Sequence, residues 1–252
     1  MKLRVLGASA GIGGTRRTLC LQLGDGTLID AGTGAGTLEL QDILGIEHVF
    51  LTHSHLDHIA LLPMLADAAA NFRTTSLTVH ALPATWQALQ KSVFNGLLWP
   101  DYTRLPAPDA PYIRFAPLAV GQTIAMGGFQ IRVLPAVHAV ESVAYAVMGP
   151  HASLAYSADT TLCPAFWQAL TDVPRLRQVM LECTFRDSQT DAATRAGHMT
   201  PALLQQGLAF LPEEVEVGVL HMEPGMEALT LSQIAGYGRV VRQICEGDEF
   251  EL

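Results

Sequence analysis

Three imidazoles and one carboxylate lie within the run His53-Ser54-His55-Leu56-Asp57-His58, directly after the apolar Val49-Phe50-Leu51. Histidine nitrogens and carboxylate oxygens are the donors that divalent cations take from proteins. A solvated loop can carry two histidines. Four donors packed between a strand and a helix exceed what packing or solubility asks for, so the run reads as part of a metal site. A pair of ions needs about eight donors, some shared and some from water. Three further candidates stand just past the end of an apolar run: His138 after Ile131–Leu134, Asp159 after Leu154–Ser157, and His221 after Val217–Leu220. By contrast, His48 precedes its strand, His80 lies inside one and His151 occupies a turn, so these three read as ordinary structural histidines. Asp30 ends another apolar run ahead of glycines. It reads equally as an acceptor that orients a ligand histidine or as the cap of a turn.

Donors from several strand ends meet only if the strands share the rim of one sheet or of two facing sheets. The pattern supplies such strands. Strands are expected near residues 2–6, 19–23, 27–30, 47–51, 77–81, 121–125, 129–134, 143–148, 152–157, 178–182 and 215–220, with one more in the tail after Val240. Helices are expected over 37–44, 59–70, 83–94, 164–170, from Pro201, and over 226–236. Residues 95–117 read as irregular and aromatic, fit for a lid, a pocket wall or a dimer contact. Strands and helices mix in both halves, with no repeat or linker. The expected class is α/β: two mixed sheets with helices outside, in one domain over residues 1–252.

Composition narrows the partners. Nearly half of the residues are hydrophobic (49%) and 15% are charged, which excludes a disordered chain. No apolar run reaches the length of a membrane span. The N-terminal segment lacks a signal-like apolar core, and the four cysteines (Cys20, Cys163, Cys183, Cys245) form no CxxC pair. Reduced thiols and a cytoplasmic protein are expected. A formal net charge of −9 disfavours a long nucleic acid, leaving a small anion as partner. The stretch Gly7-Ala8-Ser9-Ala10-Gly11 matches G-x-S-x-G, but its glycines run on to Gly14 and a strand follows. A nucleophile elbow needs a helix there, so a flexible turn is the better reading.

Taken together, Thr52–His58, His138, Ser157-Ala158-Asp159-Thr160 and His221, with Asp30-Ala31-Gly32 upstream, resemble the metallo-β-lactamase superfamily. That resemblance implies an αββα sandwich with two divalent metal ions, zinc by default and manganese or iron as alternatives. His53, His55 and His138 would hold one ion, Asp57, His58 and His221 the other, and Asp159 would bridge them. Leu181–Phe185, Gly197–Pro201 and Leu220–Gly225 are similar to the phosphodiesterase branch, which holds ribonuclease Z and class II 3′,5′-cyclic-nucleotide phosphodiesterases. It implies hydrolysis of a small anionic phosphodiester, a cyclic nucleotide first, by a hydroxide that bridges the metals. Asp57 would orient the nucleophile, and His198 would protonate the leaving alkoxide while Glu182 holds its other nitrogen; the plain alternative for His198 is a residue that starts a helix. Leu61 and Pro63-Met64 depart from the class II pattern. Ribonuclease Z enzymes carry a tRNA-gripping arm between the third histidine and the bridging aspartate, and here only twenty residues separate His138 from Asp159, reading as a hairpin. An RNA 3′-processing nuclease is therefore one alternative and a lactonase or β-lactamase-like hydrolase another, although the latter leaves Glu182 and His198 unexplained. Relatives of this kind also make a homodimer possible.

Overall fold

The computed structural model describes residues 1–238 and 240–252. The chain opens with β1 (Lys2–Gly7), β2 (Cys20–Leu23) and β3 (Thr27–Ile29). Next come α1 (Leu40–Gly45), β4 (His48–Phe50), the single-turn α2 (Leu56–Ile59), α3 (Leu62–Ala70), β5 (Leu77–Ala81) and α4 (Pro83–Ser92). A short ribbon of β6 (Pro106–Ala107) and β7 (Ala110–Pro111) leads to β8 (Ile113–Pro117). The second half runs β9 (Thr123–Met126), β10 (Phe129–Pro135), β11 (Val143–Met148), β12 (Ser153–Tyr156), α5 (Pro164–Leu170), β13 (Leu176–Glu182), α6 (Thr190–Ala196) and α7 (Pro201–Leu208). It closes with β14 (Glu216–Leu220), α8 (Glu227–Ala235), β15 (Arg242–Gln243) and β16 (Glu249–Glu251).

These strands form two seven-stranded sheets, ordered β16-β1-β2-β3-β4-β5-β8 and β15-β14-β13-β12-β11-β10-β9. Each sheet is antiparallel on one side and parallel on the other: the parallel pairs are β3–β4, β4–β5 and β5–β8 in the first and β12–β13, β13–β14 and β14–β15 in the second. Side-chain alternation separates three apolar layers. On β11, Val143, Tyr145 and Val147 join Leu3, Leu21, Ile29 and Phe50 in the layer between the sheets. The alternate residues Ala144, Ala146 and Met148 join Phe166 and Trp167 of α5 and Leu204 and Leu208 of α7 on the outer face. The small alanines let the helices approach. On the first sheet, Val49 and Val79 lie outward beneath Leu62, Leu65 and Leu89 of α3 and α4. The architecture is the expected αββα sandwich.

Three local expectations change. Residues 113–117 form an edge strand parallel to β5, with Trp86 stacked on Phe115 at 4.7 Å. Flanking prolines hid this strand, yet an edge tolerates proline because one side of its ladder needs no N–H donors. The helix expected over 59–70 is two helices, interrupted at Leu61. Pro63 sits in the first turn of α3, where its missing N–H costs nothing. The tail holds two strands rather than one, and β16 pairs with β1.

Backbone closeness fixes the helix that carries the central carboxylate. A Cβ on Gly32 would fall 2.1 Å from the Asp57 carbonyl oxygen and 2.7 Å from that of Leu19. Both contacts are with backbone, so nothing can rotate aside. Gly32→Ala is expected to cost about 3 kcal/mol or more by overpacking, read as a lowered urea midpoint with the slope unchanged.

Candidate metal centre

Strand ends gather the donors. The chain leaves β4 at Leu51 and reaches His55, which stands ahead of the first turn of α2 with Asp57 and His58 inside that turn. His138 follows β10, Asp159 follows β12 and His221 follows β14. All of these strands deliver their ends to the same rim. Three non-glycine residues at the rim adopt left-handed backbone: Asp30 (φ 57°), Ala158 (φ 52°) and His221 (φ 55°). Such positions cost about 1–3 kcal/mol each and collect where a site demands an unusual turn. For His221 the turn is secured by its N–H, which donates to the Ala8 carbonyl at 2.7 Å.

Two donor groups share a carboxylate, and a third, of Glu182, His198 and His221, adjoins them. His53, His55, His138 and Asp159 form one; Asp57, His58, Asp159 and His221 form the other; in each, the donor atoms lie within 4.8 Å of one another. Asp159 belongs to both. Its Oδ2 lies 3.8 Å from His53 Nε2 and 3.9 Å from His138 Nε2, and its Oδ1 lies 3.4 Å from both His58 Nε2 and His221 Nε2. Asp57 Oδ2 lies 3.6 Å from His58 Nε2 and 3.2 Å from His221 Nε2. His53 Nε2, His58 Nε2 and Asp159 Oδ1 are buried and have no hydrogen-bond partner among the described residues. Buried polar atoms of this kind ordinarily have partners. Three of them converging, with nitrogen and oxygen donors only, fit a centre for divalent cations.

The charge balance agrees. Burial pushes the His53 imidazole well below its usual range, and burial also lowers His55 and His138, so these rings stay neutral and keep a lone pair to give. Burial opposes ionisation of Asp159, but His221 and His58 outweigh it and hold the carboxyl well below the usual carboxylate range. At His58 burial opposes a proton, while Asp159 and Asp30 favour one strongly enough to raise it well above the usual value. Surroundings that favour a proton at that spot favour a cation there for the same reason.

The remaining ring nitrogens are held from behind. Asp30 Oδ2 accepts from His58 Nδ1 at 2.7 Å, and Asp30 Oδ1 accepts from the Thr52 N–H at 2.9 Å. Of its two readings, this geometry matches the acceptor that orients a histidine of the donor groups rather than the cap of a turn. The Thr52 hydroxyl contacts both Asp30 oxygens at 3.0 Å and His53 Nδ1 at 3.0 Å. His138 Nδ1 donates to the Gly197 carbonyl at 3.0 Å. Gly197 is left-handed (φ 76°), and a Cβ there would fall 2.6 Å from His138 Cα.

Glu182 and His198 lie beside these groups. Glu182 is fully buried, and its Oε1 accepts from His198 Nδ1 at 2.9 Å. Burial disfavours the imidazolium form of His198, but the Glu182 carboxylate overcomes it and raises the pKa. The His198 ring stacks 5.6 Å from that of His221 and lies 4.8 Å from that of His138. His48 and His80 pair with each other at 3.0 Å, outside both groups, and burial with the His48 ring takes His80 down to about 4. Reading the sequence did not single out Thr184, whose hydroxyl touches Glu182, His198 and His221. The signal was present: Thr184 is two residues past Glu182, and in extended chain such residues share a side.

Residues 99–112, ahead of β8, pack outside the first sheet. Tyr102 is buried and donates to Asp67 of α3, and Trp99 and Tyr112 join the same outer layer. All four cysteines are free thiols, and only Cys245 is exposed. Among the described residues, no helix is long and apolar enough to cross a membrane.

Known proteins are similar to this chain. The chain is 31% identical over 144 residues to a ribonuclease Z of Bradyrhizobium diazoefficiens, covering 54% of this chain and 46% of that protein. It is 42% identical over 60 residues to 3′,5′-cyclic-nucleotide phosphodiesterase 1 of Saccharomyces cerevisiae, covering 23% of this chain and 16% of that protein. The matched stretches thus span less than half of either relative. The structure of unliganded yeast PDE1 superposes over 100% of this chain and 99% of that one, with a TM-score of 0.81 at 16% identity, a likeness of fold. The family model described as the β-lactamase superfamily domain matches residues 27–222. That span takes in β3 through Met222 and every donor described above, and the chain belongs to this family, the metallo-β-lactamase superfamily.

Proposed function

We propose that the protein is a metal-dependent hydrolase of small phosphodiesters, with a 3′,5′-cyclic nucleotide as the preferred substrate. In this reading His53, His55 and His138 hold one ion, Asp57, His58 and His221 the other, and Asp159 both. Zinc suits the nitrogen-rich donor set. Bound ions of this kind supply a water-derived nucleophile at neutral pH and neutralise the phosphoryl oxygens. The chain does the rest. Asp57, mostly buried in the second group, orients the nucleophile by accepting a hydrogen bond from it. His198, fixed through Nδ1 by Glu182, offers Nε2 to the leaving oxygen. A ribose alkoxide is a poor leaving group and needs that proton, a contribution of about 10²–10⁴-fold.

One observation carries the substrate class: the Glu182–His198 pair adjoins the two groups that share Asp159 and, with His198 Nδ1 held by Glu182 at 2.9 Å, is placed to transfer a proton. Hydrolysis of an activated ring amide or ester has less need of such an acid. The names of the two curated relatives support the same class. The longer of the two matches, to a ribonuclease Z, favours RNA 3′ ends as a second reading. The net charge of −9 and the compact β11–β12 hairpin between His138 and Asp159 weigh against it. Turnover of 3′,5′-cAMP, a 3′-extended RNA, a lactone and nitrocefin by the zinc-loaded protein decides between them. Fastest cleavage of the cyclic nucleotide supports the proposal. Salt-sensitive cleavage of RNA with an inert cyclic nucleotide would replace it, and preference for the lactone or nitrocefin would remove the phosphodiesterase reading.

A further inference from the structure

The rim contains the same polar device twice, once at each sheet. At the first, Asp30 Oδ1 accepts from the Thr52 N–H at 2.9 Å, Asp30 Oδ2 takes His58 Nδ1 at 2.7 Å, and the Thr52 hydroxyl takes His53 Nδ1 at 3.0 Å. At the second, Glu182 Oε2 accepts from the Thr184 N–H at 2.9 Å, Glu182 Oε1 takes His198 Nδ1 at 2.9 Å, and the Thr184 hydroxyl takes His221 Nδ1 at 2.8 Å. Both carboxylates and both threonines are buried. The weaker cross-contacts match as well, Thr52 to His58 at 3.4 Å and Thr184 to His198 at 3.2 Å.

Counting protons fixes the roles. A hydroxyl has one proton and two lone pairs. Thr184 gives its proton to the Glu182 carboxylate at 2.9 Å or to the His221 carbonyl at 3.0 Å; either way its lone pairs face the Nδ1–H of His221 and that of His198, which His198 shares with Glu182 Oε1. Both rings are then protonated at Nδ1 and carry Nε2 toward the centre. For His221 that atom faces Asp57 and Asp159.

We propose that Thr184 is a positioning residue that sets two histidines with one hydroxyl: the metal-site ligand His221 and the proton donor His198. The His198 half rests on the proposed phosphodiesterase reading; the His221 half does not. Thr184→Val keeps the shape and removes the hydroxyl, and Thr184→Ser restores it. Zinc retention is followed by titration with a chelator, and turnover is compared on methyl and p-nitrophenyl esters of one phosphodiester, with circular dichroism and melting confirming the fold. Expected for Thr184→Val are zinc retention weakened 10–100-fold, as for other residues that support ligands, and a larger rate loss on the methyl than on the nitrophenyl ester. Thr184→Ser should lie near wild type in both. Wild-type zinc retention in Thr184→Val, an equal loss on both esters, or failure of Thr184→Ser to rescue would each overturn the proposal. A wild-type protein inert toward every diester would remove the substrate reading and with it the His198 half, and zinc retention would still judge the His221 half.

Discussion

Asp159→Ala is expected to lose both ions and essentially all hydrolysis. Among the described residues no other side chain enters both the His53–His55–His138 and the Asp57–His58–His221 group, and each of its oxygens faces a different one. Its removal leaves three donors in each group and removes the buried negative charge that offsets two cations. Several kcal/mol of transition-state stabilisation depend on bound metal, so kcat/KM should fall by about 10³-fold or more. Asp159→Asn, equal in size but uncharged, should follow the alanine variant in metal content while keeping more of the packing. Elemental analysis after gel filtration reads the result. Two full metal equivalents in both variants would refute the ligand assignment.

The second large effect is selective. His198→Ala should keep wild-type metal content, because its ring is not among the proposed ligands. Turnover of a diester with an alkyl leaving group should drop by about 10²–10⁴-fold. A nitrophenolate leaves without a proton, so the corresponding nitrophenyl diester should lose less than about tenfold on the same principle. Equal losses on both substrates would show that His198 holds substrate or structure rather than delivering a proton. Loss of metal would instead make it a ligand, which its place near Glu182 and His221 makes worth measuring.

The donors were legible because metal sites concentrate rare residue types at strand ends. The spacing of His53, His55, Asp57 and His58 is local, and the apolar runs before His138, Asp159 and His221 mark their positions without any knowledge of the fold. The sandwich was legible for a related reason: strands such as β11 are apolar on both faces, which only a layer covered on both sides explains. Thr52 and Thr184 were not singled out as supports because threonine is common at strand ends, and a hydroxyl becomes informative only when its neighbours are known. β8 was hidden because its pairing with β5 links segments more than thirty residues apart and prolines bound it. The left-handed turns at Asp30, Ala158 and His221 leave no trace in residue type, since glycine is the residue such turns usually advertise.

The apportioning of donors between the sheets has a mechanical meaning. His53 and His55 come from the first sheet's chain, and their partners His138 and Asp159 from the second; Asp57 and His58 face Asp159 and His221 in the same two-by-two division. Neither of the two groups that share Asp159 draws all of its donors from one half of the chain. Cation affinity would therefore be a property of the docked halves, and an ion held by these groups would work as a rivet driven through the seam between them. Occupancy at a thousand times the dissociation constant would add about 4 kcal/mol to the cohesion of that seam. The rim that gathers the donors would then also be the clasp of the sandwich, and a chain starved of metal would be expected to gape first at that edge.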